Sequence, residues 1–294
     1  GESGVAPTEN GSLQPERAVS LSGYPARMDD LLVWGDVGYD DYPDGVARAG
    51  GCALNVAVAA VREGRGLRVA VAGALGEDGA PLRARLVREG VDASALVSLA
   101  GPSPRQPIRL LAGGERELRG YRPGVLSDYQ PPGELRARLA SATRVYLPLF
   151  PSTLPWAHEA AAAGANLACD LMDLGELSPA EEAWVLERAE VVFCGVDLDH
   201  PRLPALREWA RADPARALIA TFGRAGACGV LRDEEARVPA APVPGGEVLD
   251  TTGCGDAFAG AFLARWGSGA GLRASLEAAS EAAARVAAHV GSCP

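Results

Sequence analysis

Residues 246–266 read Gly-Glu-Val-Leu-Asp-Thr-Thr-Gly-Cys-Gly-Asp-Ala-Phe-Ala-Gly-Ala-Phe-Leu-Ala-Arg-Trp, and three patterns meet there. Val248 and Leu249 read as the end of a buried strand. Gly253-Cys254-Gly255 is a turn that can gather consecutive backbone N–H groups. Residues 257–266 follow with Phe258, Ala261, Phe262 and Arg265 at helical spacing. A glycine-rich turn feeding a helix N-terminus is an anion site, because unpaired N–H groups and the positive end of the helix dipole face one point. Asp256, at the start of that helix, has two readings. It is an ordinary N-cap, or it is a carboxylate that takes a proton from a nucleophilic hydroxyl while the N–H groups hold a transferring phosphoryl.

Upstream, Leu31-Leu32-Val33-Trp34 reads as a buried first strand. Gly35-Asp36-Val37-Gly38-Tyr39-Asp40-Asp41 then places several carboxylates at its C-terminal edge, where ligands bind in open α/β sheets. A solvated acidic turn is the plainer reading of the same residues. Gly50-Gly51 opens an Ala/Val-rich helix that contains Asn55, a polar group that needs a partner if buried. Residues 68–73 read as a strand, 81–89 as a helix stopped by Gly90, and 108–111 with 117–119 as a hairpin around Gly113-Gly114-Glu115. Helices at 133–139, 154–163, 179–188 and 203–211 then alternate with strands at 144–147, 165–169, 191–194 and 217–221. That alternation implies right-handed βαβ units and a mostly parallel sheet. Residues 227–231 and 236–238 form an antiparallel pair at one side. A last helix over 272–289 turns Leu276, Ala279, Ala283 and Val286 to one face.

The bulk composition narrows the function classes. The chain has 294 residues, 48% hydrophobic and 22% charged, with a net charge of −10, so neither a nucleic-acid nor an anionic-membrane footprint is expected. No apolar stretch reaches membrane-spanning length. The six cysteines include no Cys-x-x-Cys pair, so reduced thiols in a cytoplasmic protein are expected rather than a disulfide framework or zinc site. None of the three histidines stands at metal-ligand spacing. Residues 1–27 are polar and rich in Gly, Ser and Pro, and read as a disordered tail. No Gly-x4-Gly-Lys-Ser/Thr is present, which excludes a P-loop kinase, and no Gly-x-Gly-x-x-Gly follows a strand.

Four segments together resemble the ribokinase, or PfkB-type, carbohydrate kinase family. Residues 250–258, Asp-Thr-Thr-Gly-Cys-Gly-Asp-Ala-Phe, resemble its C-terminal signature, and Gly50-Gly51 through Ala59, containing Asn55, resemble its N-terminal one. Residues 76–92 and 221–227 are similar to intervening blocks. The resemblance implies an α/β fold, a ribokinase-like three-layer α/β/α sandwich with a mostly parallel sheet and a small, reduced lid. It implies one kinase domain over 28–294, with lid elements near 36–50 and 105–122. By the same resemblance the chain moves the γ-phosphoryl of ATP to a hydroxyl of a sugar or sugar-amine, with Mg²⁺ neutralising the phosphates. Asp256 is then the base, and Gly253, Cys254 and Gly255 form the anion hole. Thr221, Gly223, Gly226 and Thr252 lie along the nucleotide. Asp40, Gly51, Asn55, Arg109 and, more weakly, Asp36 meet the substrate. Asp250 and Thr252 match a region where members often hold a monovalent cation such as K⁺.

Three departures stand out. Cys254 replaces the usual alanine. Residues 194–199, Cys-Gly-Val-Asp-Leu-Asp, lack the Asn-x-x-Glu motif associated with the metal, leaving Asp197 or Asp199 as substitutes. The connection from Asp40 to Gly50 is short, a spacing more similar to the fructoselysine 6-kinase branch. Two alternatives stay open: a nucleoside kinase, which would want an aromatic platform for the base, and a catalytically silent ATP- or sugar-binding regulatory protein of the same fold. An exposed lid edge would favour a homodimer.

Overall fold

The structure, a computed structural model, describes residues 29–294, so the reading of 1–27 as a disordered tail lies outside the described residues. Strands β1 (Leu31–Trp34), β2 (Gly38–Asp41) and β3 (Ala47–Gly50) lead into α1 (Cys52–Glu63). Then come β4 (Val69–Leu75), α2 (Ala80–Glu89), β5 (Asp92–Ser98), β6 (Arg105–Leu110) and β7 (Arg116–Leu118). The alternating half comprises α3 (Gly133–Ser141), β8 (Val145–Pro148), α4 (Leu154–Ala162), β9 (Leu167–Asp170), α5 (Pro179–Arg188), β10 (Ala189–Gly195), α6 (Leu203–Arg211) and β11 (Ala217–Thr221). Strands β12 (Ala227–Leu231) and β13 (Glu234–Val238) precede α7 (Cys254–Gly267) and α8 (Leu272–Ala287).

Nine strands form one sheet in the order β13-β12-β11-β10-β9-β8-β1-β4-β5. It is parallel from β11 to β5, and β12 and β13 join antiparallel at one edge. Strand order reverses between β1 and β8, so the C-terminal ends of those strands open a crevice. Alternate side chains feed two cores. One holds apolar residues of α1, α2, α7 and α8, and the other those of α3 to α6. The result is the mostly parallel sheet that the βα alternation predicts, layered between helices as the three-layer α/β/α sandwich that the resemblance implies. No helix among the described residues is long and apolar enough to cross a membrane.

A second sheet, β3-β2-β6-β7, is built from the two short hairpins. Its β6–β7 tip folds onto the glycine-containing turn before α7, since Gly114 carbonyl accepts the Thr251 N–H at 2.9 Å. The same tip reaches residues 223–225, because Gly113 carbonyl accepts from Arg224 Nη2 at 2.8 Å. The small sheet is thus tied to both sides of the crevice.

Helices α1 and α7 cross closely because their contact faces are nearly bare. A Cβ built on Gly260 would lie 2.2 Å from the Val56 carbonyl oxygen and 3.0 Å from Ala59 Cβ. Beyond that contact, buried Phe262 meets Phe193 edge-on at 5.8 Å, and Phe193 meets Tyr146 at 6.0 Å. This aromatic series locks α7 to β10 and β8.

Two sequence readings need correction. Val248 and Leu249 are not a strand end. Leu249 is 40% exposed, and its N–H donates at 2.8 Å to the Ala287 carbonyl at the end of α8, so a helix terminus replaces a ladder partner. Residues 92–98, which carry no strand signal in the sequence, form edge strand β5 beside β4, and a register irregularity between its pairs at Ala70 and Ala72 lets Ala93 and Leu96 enter the same core.

Gly260→Ala should lower stability by about 1–3 kcal/mol, since the added methyl meets backbone that cannot retreat. Gly267→Ala, with nothing within 4 Å of the added carbon, should be neutral or stabilising by up to about 1 kcal/mol. Paired urea denaturation curves check the contrast.

Candidate active site

Two helix N-termini meet where the strand order reverses. Helix α1 starts after Gly51, whose φ of 97° suits glycine and whose Cβ would strike the Asp36 carbonyl oxygen at 2.6 Å. Asp36, just past β1, caps this helix from outside: its Oδ1 accepts the Cys52 N–H at 3.0 Å and its carbonyl accepts the Ala53 N–H at 3.1 Å. Helix α7 starts after Gly253, φ 76°, where a Cβ would lie 2.5 Å from the Ser292 carbonyl oxygen.

The turn into α7 leaves particular donors open. Cys254 N–H closes it by donating to the Thr251 carbonyl at 3.2 Å. Among the described residues, no protein acceptor meets the N–H groups of Gly253, Gly255 and Asp256. The open set therefore differs from the expected Gly253–Cys254–Gly255 by one residue, with Asp256's own N–H in place of that of Cys254. The Cys254 thiol is pushed up to about 12 by burial, against the opposing charge of Arg116, so it stays protonated.

Asn55 Nδ2 donates to Asp256 Oδ2 at 2.9 Å, which joins the two helix starts. Asn55 is 5% exposed, and its Oδ1 is buried without a donor. That acceptor faces an unmet demand that a hydroxyl can satisfy. Burial pushes the Asp256 carboxyl up to about 7; the Asn55 bond opposes the rise, and the charges of Asp170 and Asp36 add to it. Asp170, at the end of β9, accepts the Tyr146 hydroxyl at 2.9 Å, and burial raises its carboxyl too.

The substrate-side candidates separate. Burial raises Asp36, whose charge reaches Asp256. Asp40 is buried with its Oδ2 accepting from Ser292 Oγ at 2.6 Å, and burial pushes it up to about 7. Of these two carboxylates, Asp36 is the one whose charge adds to the rise at Asp256, while Asp40 is turned to Ser292. Arg109 stays on the hairpin surface, with Nη1 3.3 Å from Glu117 Oε2. Its neighbour Arg116, which the sequence reading passed over, reaches the turn instead: Nη1 donates to Thr251 Oγ1 at 3.4 Å. Among the described residues Arg116 has no carboxylate partner. Tyr121 is a second missed residue; the charges of Asp36 and Cys52 act on its phenol, which burial raises foremost.

On the other side of the turn, Thr221 ends β11 and its Oγ1 donates to the Cys194 carbonyl at 3.4 Å. Gly223 (φ 53°) and Gly226 (φ 91°) shape the loop into β12. At Gly226 a Cβ would meet the Val238 carbonyl at 2.1 Å. Thr252 is buried with its Oγ1 unpartnered. Asp250 is fully buried. Its Oδ1 accepts the Thr252 N–H at 2.8 Å, and its Oδ2 accepts the Tyr42 hydroxyl at 2.6 Å and the Gly291 N–H at 2.9 Å. Asp197 and Asp199 sit on an exposed loop, whereas Asp173 Oδ1 and Thr221 Oγ1 each lie 3.5 Å from the Cβ position of Gly195. No group of three or more His, Cys, Asp or Glu side chains among the described residues makes a ready metal cage. All six cysteines are free.

Comparison with known proteins gives a consistent result. The profile of the pfkB family carbohydrate kinases matches residues 40–294. The chain is similar to fructoselysine 6-kinase of Escherichia coli (strain K12), 29% identical over 251 residues that cover 83% of this chain and 92% of that protein. It is 30% identical over 250 residues to fructokinase-1 of Oryza sativa subsp. japonica, covering 76% and 75%. In fold it is similar to a Burkholderia thailandensis nucleoside kinase solved with inosine, TM-score 0.74 and 23% identity, covering 89% and 92%.

The raised Asp256 and Asp40 carboxyls carry a stability consequence. Between the ordinary carboxylate range and about 7 the folded chain holds more protons at these sites than the unfolded chain. Stability from this source is therefore full at low pH and is lost as pH rises through about 7. Asp256→Asn, which removes a charge held in a desolvating site, should melt about 2–4 °C higher than the parent at pH 8 and show a smaller gap at pH 5. Calorimetry across that range measures it.

Proposed function

The chain belongs to the pfkB family of carbohydrate kinases, and from that premise we propose how its residues divide the work. It is an ATP-dependent enzyme that transfers a phosphoryl group to a sugar hydroxyl, with a small molecule as its partner. In our reading, the acceptor hydroxyl lies against Asp256, which takes its proton as the oxygen attacks phosphorus. The observation that carries this reading is the half-buried Asp256 carboxylate, held by Asn55 beside three open N–H groups. A carboxyl pushed up to about 7 is matched to proton transfer near neutrality.

Asn55 Oδ1 and Asp36 accept other substrate hydroxyls, with Gly51 allowing close approach and Asp40 supporting the wall behind. The open N–H groups of Gly253, Gly255 and Asp256 receive the charge that builds on the transferring phosphoryl, and Arg116 adds a guanidinium from the lid hairpin. The nucleotide lies along Thr221, Gly223 and Gly226. Asp173 suits Mg²⁺ as a hard oxygen donor at the strand ends without a protein donor of its own among the described residues; with the phosphates it would hold the ion, as Mg²⁺ sites usually do. Bound Mg²⁺ supplies charge neutralisation at the phosphate oxygens.

For the acceptor we propose a sugar or sugar-amine adduct of the kind named by the Escherichia coli relative. The open donors and Asn55's unmet acceptor argue against a silent regulatory protein. Tyr121, whose phenol feels the Asp36 charge, is the side chain we propose a nucleoside base would stack on, so inosine serves as the test of that alternative. We further propose a single catalytic domain over 28–294, with 36–50 and 105–122 as its lid, a cytoplasmic setting where ATP is at hand, and pairing through the free edge of β7, where Leu118 is 54% exposed. Sedimentation analysis tests the pairing.

An ADP-release screen with fructoselysine, fructose, other hexoses and inosine decides among the readings. Turnover with a sugar or sugar-amine is expected. No acceptor turning over despite ATP binding would sink the kinase mechanism. Asp256→Asn should lose about 10²–10⁴ in kcat, and kcat/KM of the parent should rise with pH through about 7. Arg116→Met should lose about 10- to 100-fold in kcat without a change in melting temperature, as expected for a hydrogen bond to a charged group. Arg109→Met, on the same hairpin, should leave kcat nearly unchanged.

A further inference from the structure

The loop after β11 and the tip between β6 and β7 belong to different sheets, yet one side chain joins them. Arg224, in the single turn 223–225, is exposed, and its Nη2 donates to the Gly113 carbonyl at 2.8 Å. Its Nε lies 4.0 Å from Glu115 Oε1 on the same tip. The backbone of the loop is fixed from within. Phe222 N–H donates to the Gly226 carbonyl at 2.8 Å, and Gly226 N–H donates to the Gly223 carbonyl at 3.1 Å. Arg224 therefore reaches across to the tip from a closed loop.

The tip has less support of its own. Gly113 and Gly114 have φ of 74° and 77°, and adjacent glycines in this region confer little stiffness. Inside the hairpin, the Leu111 N–H donates to the Glu115 carbonyl at 2.7 Å and closes the tip at its base. Outside it there are two holds, from different sides. The Thr251 N–H holds the Gly114 carbonyl from the turn before α7, and Arg224 holds the Gly113 carbonyl from the loop into β12. Arg116 leaves the tip directly after Glu115, and its Nη1 donates to Thr251 Oγ1 at 3.4 Å. Arg224 and Arg116 thus stand at opposite ends of the short bridge Gly113-Gly114-Glu115.

We propose that Arg224 is a positioning residue that links the nucleotide loop to the hairpin. Nucleotide lying along the loop steadies Arg224, Arg224 steadies the tip at Gly113, and the tip sets Arg116 beside the turn that receives the phosphoryl group. The inference rests on the placement of the nucleotide along Thr221, Gly223 and Gly226. Arg224 touches no reacting atom in this role. By linkage, a steadier tip strengthens nucleotide binding by the same factor by which nucleotide steadies the tip. The guanidinium that serves the phosphoryl group is then fully presented only when a nucleotide is there to supply one.

Amide hydrogen exchange on the full chain, with ADP as the probe, tests this without turnover. The reporter is the Leu111 amide, whose hydrogen bond lies wholly within the hairpin. In the parent, ADP should slow its exchange about three- to tenfold, the range of one ordinary hydrogen bond. In Arg224→Met, ADP should still slow the amides of 221–227 but leave Leu111 at its unliganded rate. Equal slowing of Leu111 in both proteins would overturn the proposal. So would a parent in which ADP slows 221–227 and leaves Leu111 unchanged. If Arg224→Met does not fold, this parent measurement still decides. ADP that slows neither region would instead bring down the nucleotide placement, and the link with it.

A kinetic cycle separates this role from a direct contact between Arg224 and the nucleotide. Once an acceptor turns over, Arg224→Met should lose about three- to tenfold in kcat with the sugar KM unchanged. The double variant Arg116→Met/Arg224→Met should match Arg116→Met alone within about twofold, because both changes act through one guanidinium. Losses that multiply would refute the link, as would a change confined to the KM for ATP.

Discussion

The close crossing of α1 and α7 is the constraint on which the site depends. The two helices lie some two hundred residues apart in sequence, yet their first turns must stand side by side for Asn55 to reach Asp256 at 2.9 Å. Gly260 against the Val56 carbonyl allows that approach, and the Phe262–Phe193–Tyr146 contacts fix the rotation of α7 about its own axis. Interiors at crystal-like density do not deform smoothly. A shift of α7 by even a side chain's width would separate the carboxylate from its partner and turn the open N–H groups away from the crevice.

Bringing two helix starts together also concentrates carboxylates. Asp36, Asp170 and Asp256 share one small volume, and Asp40 lies behind it. Each is more costly to ionise than in water because burial removes its hydration, and at Asp256 the charges of Asp170 and Asp36 add to that cost. The protein answers with hydrogen-bond donors in place of cations: Cys52 N–H at Asp36, Tyr146 hydroxyl at Asp170, Ser292 hydroxyl at Asp40 and Asn55 amide at Asp256. Donors hold these groups without neutralising them. A carboxylate treated in this way keeps a high proton affinity, which a base in this position requires. The positive groups, Arg116 and the helix start, stand on the phosphate side, so opposite ends of the crevice are chemically distinct.

Much of this was legible in the chain, and the parts that were not share a cause. The βα alternation, the glycine stop at Gly90, the hairpin around Gly113 and the turn into α7 all rest on local signals, which short-range sterics and periodicity determine. Strands β2, β3 and β5 carry no such signal. Asp40, Asp41 and Asp92 are poor strand formers, and tertiary pairing overrides their preference. Val248 and Leu249 show the reverse error, where apolar residues that look like strand complete a helix end. The choice between Asp36 and Asp40 was closed to sequence because it turns on long-range partners: Asp36, in the turn after β1, caps α1, whereas Asp40, in β2, is taken by Ser292 near the other end of the chain. Arg116 and Arg109 are seven residues apart and chemically alike. Only the hairpin register, pairing Leu110 with Arg116 and Arg109 with Glu117, sends one to the turn and the other to a surface ion pair.

In the proposed reading the small sheet β3-β2-β6-β7 therefore does more than cover a substrate. Four of its groups hold the phosphate side: Gly114 carbonyl binds the Thr251 N–H, Arg116 binds the Thr251 hydroxyl, Gly113 carbonyl binds Arg224 of the loop after β11, and Tyr42 binds Asp250. Three of these contacts fall on the two residues Asp250 and Thr251, immediately before the donor-bearing turn. The lid sheet is short and has few buried apolar residues, so it cannot owe its position to a core of its own. Its position must come from these polar ties. A substrate that orders β2, β3 and the β6–β7 tip would thus also order the turn that receives the phosphoryl group, while a missing or ill-fitting acceptor would leave both less fixed. Under the proposed function, acceptor binding and phosphate positioning would become one equilibrium, coupling specificity for the sugar to the rate of transfer and limiting transfer to water.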